Sequence, residues 1–201
     1  MNKRLTFHAI MFLLFVFWGI RYLWINDSNI GAYTVSNIED YKMGSIVEFG
    51  DNKSYYLYTQ DGYTISVQSA KKYSKQDFCD YYKIATDDLP YVSDSYIEIS
   101  TIIENKGETE SNLQLLGLAL RGADWCAFYD AYATTYANEV NNAQGTVSSI
   151  QLPKDTPVNI RMIYGIQRGN FPLSRWNNIE NEDIWLIVTI MPIEKRIRIK
   201  L

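Results

Sequence analysis

Residues 5–25 form one uninterrupted apolar run, and nothing later in the chain repeats it. Beyond residue 43 the hydrophobic positions come in short bursts that alternate with polar ones, the period of strands with one buried face. "YTISVQS" (63–69) sets Tyr63, Ile65 and Val67 in phase. "YIEISTIIENKGE" sets Ile97, Ile99, Thr101 and Ile103 on one face, with Glu98, Ser100 and Glu104 on the other. "VNIRMIYGI" (158–166), "DIWLIVTI" (183–190) and "KRIRIKL" (195–201) continue the pattern. Shorter strands are predicted at "GSIVEFG", "SYYLYT" (54–59) and "SSIQLP". Gln60-Asp61-Gly62 reads as a hairpin connection between "SYYLYT" and "YTISVQS". Asn105-Lys106-Gly107 turns the long strand so that "NLQLLGLALRG" (112–122) runs back antiparallel to it.

The pattern breaks between residues 70 and 90, where Ser74, with Asp77 three positions on, predicts the N-cap of a short helix. Residues 124–142 mix strand and helical signals. The fold class that follows is all-β: an antiparallel immunoglobulin-like β-sandwich with one short helical insert, preceded by an N-terminal transmembrane helix. A barrel is the alternative. The tryptophan and paired-cysteine spacing of antibody domains is absent, so the likeness is one of architecture.

As a helix the 5–25 run would be about 31 Å long, enough to cross a hydrocarbon core of about 30 Å. Lys3 and Arg4 precede it and Asp27 follows, so the positive-inside bias leaves the C-terminal part outside. Trp18, Arg21, Tyr22 and Trp24 gather near its distal end, as residues of a membrane interface do. The expected organisation is a cytoplasmic stub and signal-anchor over 1–25, a juxtamembrane linker over 26–43 and an extracytoplasmic domain over 44–201. The competing reading is a cleaved signal peptide, with Ile30-Gly31-Ala32 as the nearest small-residue site.

Charge and histidine content narrow the chemistry. The first 25 residues hold three bases and no acid, leaving sixteen bases against 23 acids in the remainder, a net of −7 that disfavours nucleic acid. Lys195, Arg196, Arg198 and Lys200 read as the solvated face and guarded edge of a terminal strand. The one histidine, His8, lies inside the apolar run, which excludes histidine-based triads and zinc sites from the domain. Ser69-Ala70-Lys71-Lys72 fits a Ser-x-x-Lys pattern by chance, without the companion motifs of penicillin-recognising enzymes. Asp87, Asp88 and Asp94, or Asp77 and Asp80, raise calcium or paired-carboxylate readings that no loop motif supports. No cofactor, metal or catalytic residue is expected. Cys79 and Cys126 would permit one disulfide in an oxidising exterior. Tyr56, Tyr58 and Tyr63 are the candidate binding surface, amphipathic side chains suited to a glycan or peptide.

The stretches "DGYTISVQSAKKY", "YIEISTIIENKGE" and "LPKDTPVNIRMIYGI", behind an N-terminal anchor, resemble small immunoglobulin-like domains of unknown function on anchored surface proteins of Gram-positive bacteria. The resemblance covers most of residues 44–201 and implies a domain without catalytic residues. This chain lacks the lipid-attachment cysteine of lipid-modified relatives. The expected function is a membrane-anchored extracytoplasmic binding or adaptor module, single-pass, engaging a cell-envelope glycan, peptide or membrane protein. A structural subunit of a membrane complex and a secreted domain are the alternatives.

Overall fold

The computed structural model describes residues 11–22, 37–86, 89, 93–107, 112–138, 148–171 and 173–201. The chain divides into residues 1–34 and residues 35–201. In the first unit, residues 11–22 form helix α1, with side chains exposed all round. Trp18 stacks on Tyr22 at 5.5 Å and lies 6.2 Å from Phe15. Among the described residues no helix is long and apolar enough to cross a membrane. The predicted span runs past both ends of α1 into residues outside the described set, Trp24 included.

The second unit is a β-sandwich. Its first sheet has the order β2-β3-β4-β9, from Val47–Glu48, Tyr63–Ser74, Ser95–Asn105 and Val158–Ile166. Its second has the order β1-β11-β10-β6-β7, from Asn37–Lys42, Ile193–Ile199, Ile184–Thr189, Ala119–Arg121 and Cys126–Phe128. A small pair, β5 (Asn112–Gln114) with β8 (Ser149–Gln151), completes the strands. The inner faces meet in one core: Val67, Ile99, Met162 and Tyr164 from the first sheet, Leu120, Leu186, Val188 and Ile197 from the second. The hydroxyl of Tyr164 donates to the Leu118 carbonyl at 3.1 Å, so a fully buried phenol is satisfied across the sandwich.

The first sheet is covered on its outer face as well. Helix α2 (Lys75–Tyr82) starts at Ser74, whose hydroxyl accepts from the Asp77 N–H as predicted. It ends at Lys83, in the left-handed region at φ 56°. Helix α3 (Ala131–Ala137) lies beside β9, and a further short helix, α4, spans Leu173–Trp176. Tyr73, Phe78, Cys79, Tyr96, Ala133 and Ile163 form this second core. A bulge in β3 between Val67 and Ser69 makes it possible, because one extra residue reverses the side-chain parity. Before the bulge Tyr63, Ile65 and Val67 point inward; after it Ala70 packs on the inner core while Tyr73 faces α2.

Strand β9 is an edge, and α3 closes it without a strand. The Asn138 side chain donates to the Arg161 carbonyl at 2.7 Å and accepts from the Arg161 N–H at 2.9 Å. Two residues on, the Ile163 N–H donates to the Thr134 hydroxyl at 3.0 Å, and the Asp130 N–H donates to the Ile163 carbonyl at 2.8 Å. The outward backbone groups of Arg161 and Ile163, which would otherwise template another chain, are thereby occupied.

Several predictions from periodicity change at the level of pairing. Residues 112–122 do not return along β4, whose neighbours are β3 and β9; they divide into β5, paired with β8, and β6, paired with β10 and β7. The linker expected to reach residue 43 ends sooner, since β1 pairs in parallel with β11 from Asn37↔Ile193 to Lys42↔Arg198. Strand β11 is therefore internal, and Arg196 and Arg198 do not guard an edge. The helical content exceeds one insert. The strand order also departs from antibody domains, whose four-stranded sheet places its sequence-distant neighbours in the middle. Here the consecutive β3 and β4 are central, and the distant pair is β4 with β9.

Two predictions concern α3. Replacing Asn138 by Ala removes both bonds to Arg161 and should cost roughly 1–3 kcal/mol in urea unfolding, with Asn138→Asp, which still accepts, falling between. Asp130 caps α3 by accepting from the Ala133 N–H at 2.9 Å, and burial holds its carboxyl above the ordinary aspartate pKa of 3.8. A raised folded-state pKa means that ionising Asp130 opposes folding, so its contribution falls as pH climbs from the unfolded value through the folded one. Asp130→Asn keeps a capping oxygen without the charge. Its stability relative to wild type should rise across that window and then stay level, read by urea titrations at successive pH values.

Candidate functional site

"KSYYLYT" is the stretch in which four bulky residues stand where a turn would ordinarily carry glycine or asparagine. It is a tight hairpin on the excursion between β2 and β3. Lys53 bridges Thr59, the Ser54 N–H donates to the Tyr58 carbonyl at 2.9 Å, and the Leu57 N–H donates to the Ser54 carbonyl at 2.8 Å. The loop is Tyr55-Tyr56-Leu57, with Leu57 in the left-handed region at φ 63°, the position that three-residue hairpin loops usually give to glycine. Holding leucine there costs on the order of 1–2 kcal/mol. The side chain does not recover this by burial, because Leu57 is 46% exposed.

The base of the hairpin is firmly held. The Lys53 N–H donates to the Met191 carbonyl and the Ile190 N–H to the Lys53 carbonyl, both at 2.7 Å, while the Tyr55 N–H donates to Gly117 at 3.2 Å. Ser54 is fully buried against Gly117, where a Cβ would collide with its side chain. Above this base Tyr55, Tyr56, Leu57 and Tyr58 are each 42–48% exposed, and Phe128 of β7 joins them at 41%. Tyr55 meets Phe128 edge-on at 5.0 Å, and Tyr56 lies 6.1 Å from Phe128.

The structure thus brings two of the three predicted binding tyrosines to one exposed tip, on a hairpin of their own instead of a long strand. Tyr63 is not among them: it is 2% exposed and packs edge-on to Phe49 in the core. Phe128 and Leu57 carry no hydrophobic-period signal. The run of four large residues with no turn-former is the trace that marks the tip. The later tyrosines belong elsewhere: Tyr73 packs under α2, and Tyr82 donates to Glu98 at 2.7 Å.

The two cysteines, for which one disulfide was a possibility, are both free thiols. Cys79 is buried in the second core, on α2, while Cys126 is exposed on the edge strand β7 of the other sheet. Ser69 and Lys72 lie three apart in an extended strand and so face opposite ways, and Lys72 pairs with Glu180 at 3.0 Å. Among the described residues no cluster of three metal-ligating side chains occurs. Asp77 binds Ser74 and Asp80 binds Gln76, while Asp94 accepts from the Arg168 N–H; Asp87 and Asp88 lie outside the described residues.

A second feature is an open groove of about 680 Å³ beside the outer face of the five-stranded sheet, floored by Trp185. Arg121 holds Glu194 through both guanidinium nitrogens, and Arg196 reaches Asp40 at 2.5 Å and Glu194 at 3.5 Å. Arg198 pairs with Asp183, and Arg175 with Asp124 at 2.8 Å. Arg196 also lies over the Trp185 ring at 4.3 Å. Its proximity holds the Asp40 carboxyl below the usual range, chiefly by hydrogen bonding. Each of these arginines already has a carboxylate, so the groove is an ion-pair lattice and offers an incoming anion no spare cation. Glu194, only 5% exposed, is its centre. Glu194→Gln, which leaves Arg121 and Arg196 facing each other without their shared anion, should cost about 2 kcal/mol in urea unfolding, less than a fully buried pair because Arg121 is partly solvated.

Comparison with known proteins places these features in a wider group. No curated protein matches the chain. Among solved structures it is similar to the yjhA protein from Bacillus subtilis, at 11% identity over 80% of this chain and 99% of that one, with a TM-score of 0.43. It is also similar to an uncharacterized β-sandwich protein from Clostridium difficile, at 13% identity over 81% of this chain and 94% of the other, TM-score 0.43. The description "Domain of unknown function (DUF5028)" matches residues 38–195, from the second residue of β1 into β11, and the chain belongs to that family.

Proposed function

We propose that this chain is a non-catalytic binding or adaptor module of the cell envelope, of the kind borne on Gram-positive surface proteins. Residues 1–25 hold it in the cell membrane, and its β-sandwich faces outside. The observation that carries the reading is the aromatic tip: four consecutive large side chains exposed on a hairpin whose base is hydrogen-bonded into the fold, a strained leucine among them, with Phe128 of β7 exposed beside them. Backbone strain kept for an exposed apolar side chain points to contact with something outside the fold. The sequence supports the location. The 5–25 run is long enough to span, Lys3 and Arg4 precede it, and Trp18, Arg21, Tyr22 and Trp24 stand at its outer end. Two free thiols are compatible with this, since Cys79 is buried and one exposed thiol has no partner within the domain.

Protease added to intact cells should degrade the sandwich domain of the full chain while leaving a cytoplasmic marker untouched, and the protein should stay with the membrane fraction after a high-salt wash. Protection in intact cells with cleavage only after lysis would overturn the reading. Release of a shortened chain into the medium would favour the secreted alternative.

A further inference from the structure

We propose that the aromatic tip is a wedge for the lipid interface, Tyr55, Tyr56, Leu57, Tyr58 and Phe128 entering the headgroup region of the bilayer beside the domain. The inference deepens the binding-module reading by naming a lipid surface as the tip's partner.

The tip stands at a particular end of the sandwich. Strand β1 begins opposite the start of β11, at Asn37↔Ile193, and the turn preceding β11 is hydrogen-bonded to Lys53 through Ile190 and Met191. The Ile193 N–H donates to the Asn52 side chain at 3.2 Å. Strand β6 also starts there, with Ala119 opposite both Ile187 and Phe128. The base of the hairpin therefore lies at the end of the sandwich where β1 and β11 begin. Ile38, on the second residue of β1, adds another exposed apolar side chain there.

Shape and chemistry agree. Residues 54–59 carry no charge, and four successive exposed residues on a tight turn present a convex surface that encloses no small ligand. Tyrosine suits a headgroup layer, its ring in the apolar part and its hydroxyl toward water, while Leu57 supplies the one aliphatic tip. At about 200 Å² per side chain, the five residues expose roughly 450 Å². That is the size of the largest exposed patch on a typical monomer, about 300–600 Å² and often functional, and about half of the ~800 Å² per partner that a stable protein dimer buries. A contact this small becomes effective when the domain is already held near its target, where local concentration replaces intrinsic affinity.

The test uses residues 35–201, which contain both sheets, both cores and all the described strands, and lack the apolar run. The protein is sedimented with phosphatidylcholine vesicles, and with vesicles of equal parts phosphatidylcholine and phosphatidylglycerol, at low and high salt and at lipid concentrations up to the millimolar range that a short tether would impose. The expected result is measurable binding to phosphatidylcholine that salt does not weaken and that the acidic lipid does not strengthen, since this piece has sixteen bases against 22 acids. Leu57→Gly, which relieves the backbone and so should fold at least as well, and Phe128→Ser should each lower the partition by roughly tenfold. No binding to either vesicle, or binding that survives both variants, overturns the proposal. Self-association that both variants abolish, without vesicle binding, assigns the tip to a second copy and also overturns it. Because residues 1–25 are absent, failure here leaves the protease result untouched, and the two readings can fail separately.

Discussion

Strand β4 can stay extended over eleven residues only because both its edges and both its faces are taken. Strands β3 and β9 occupy the edges, the five-stranded sheet covers one face, and α2 with α3 covers the other. Each requirement generates the next. Two-sided burial needs a helical layer, the layer needs apolar side chains of the opposite parity, and the bulge at Gln68 delivers Tyr73 to it. Strand β9, placed second in that burial, then has an outer edge to close, and α3 closes it with the side chains of Asn138 and Thr134 in place of a backbone. The helices are thus conditions for the sheet to be stable as a four-stranded unit.

The five-stranded sheet meets its outer side differently. Its exposed face is settled by charge pairing around Trp185 and Glu194, whose members neutralise one another. A surface of that kind has little left to offer a partner. The hairpin tip is the opposite case: its base is hydrogen-bonded and buried, and its side chains are left without cover. Chemistry available for recognition is concentrated where the fold has least use for it.

Much of the fold was legible because alternation survives burial on one face. Strands β4, β9, β10 and β11 lie where the pattern of Ile97-Ile99, Ile160-Met162, Leu186-Val188 and Ile197-Ile199 sets them, and Ser74 caps α2 through a bond that depends on local spacing alone. Pairing was less legible, since apolar phase says which face is buried and says nothing of the neighbour across the gap. Residues 112–122 therefore read as a return along β4 though they serve β5 and β6. Strand β1 was hidden because an edge strand such as "NIEDYK", exposed on most of its residues, looks like a polar linker. At the tip, tyrosine's strand preference masked a turn. Tyr56 and Tyr58 were found by composition, Tyr63 was lost to the core, and Phe128 arrived from seventy or more residues away by tertiary packing, which no local pattern records.

The parallel pairing of β1 with β11 also determines how the domain would bear load. A pull on the chain ahead of Asn37 acts along β1, while β11 is held on its other side by β10. The six register pairs, together with the link from Arg196 to Asp40, are then strained lengthwise and at the same time, as in a lap joint, instead of parting one after another from an end. A domain tethered through its first strand would in this geometry put its strongest direction in line with its tether.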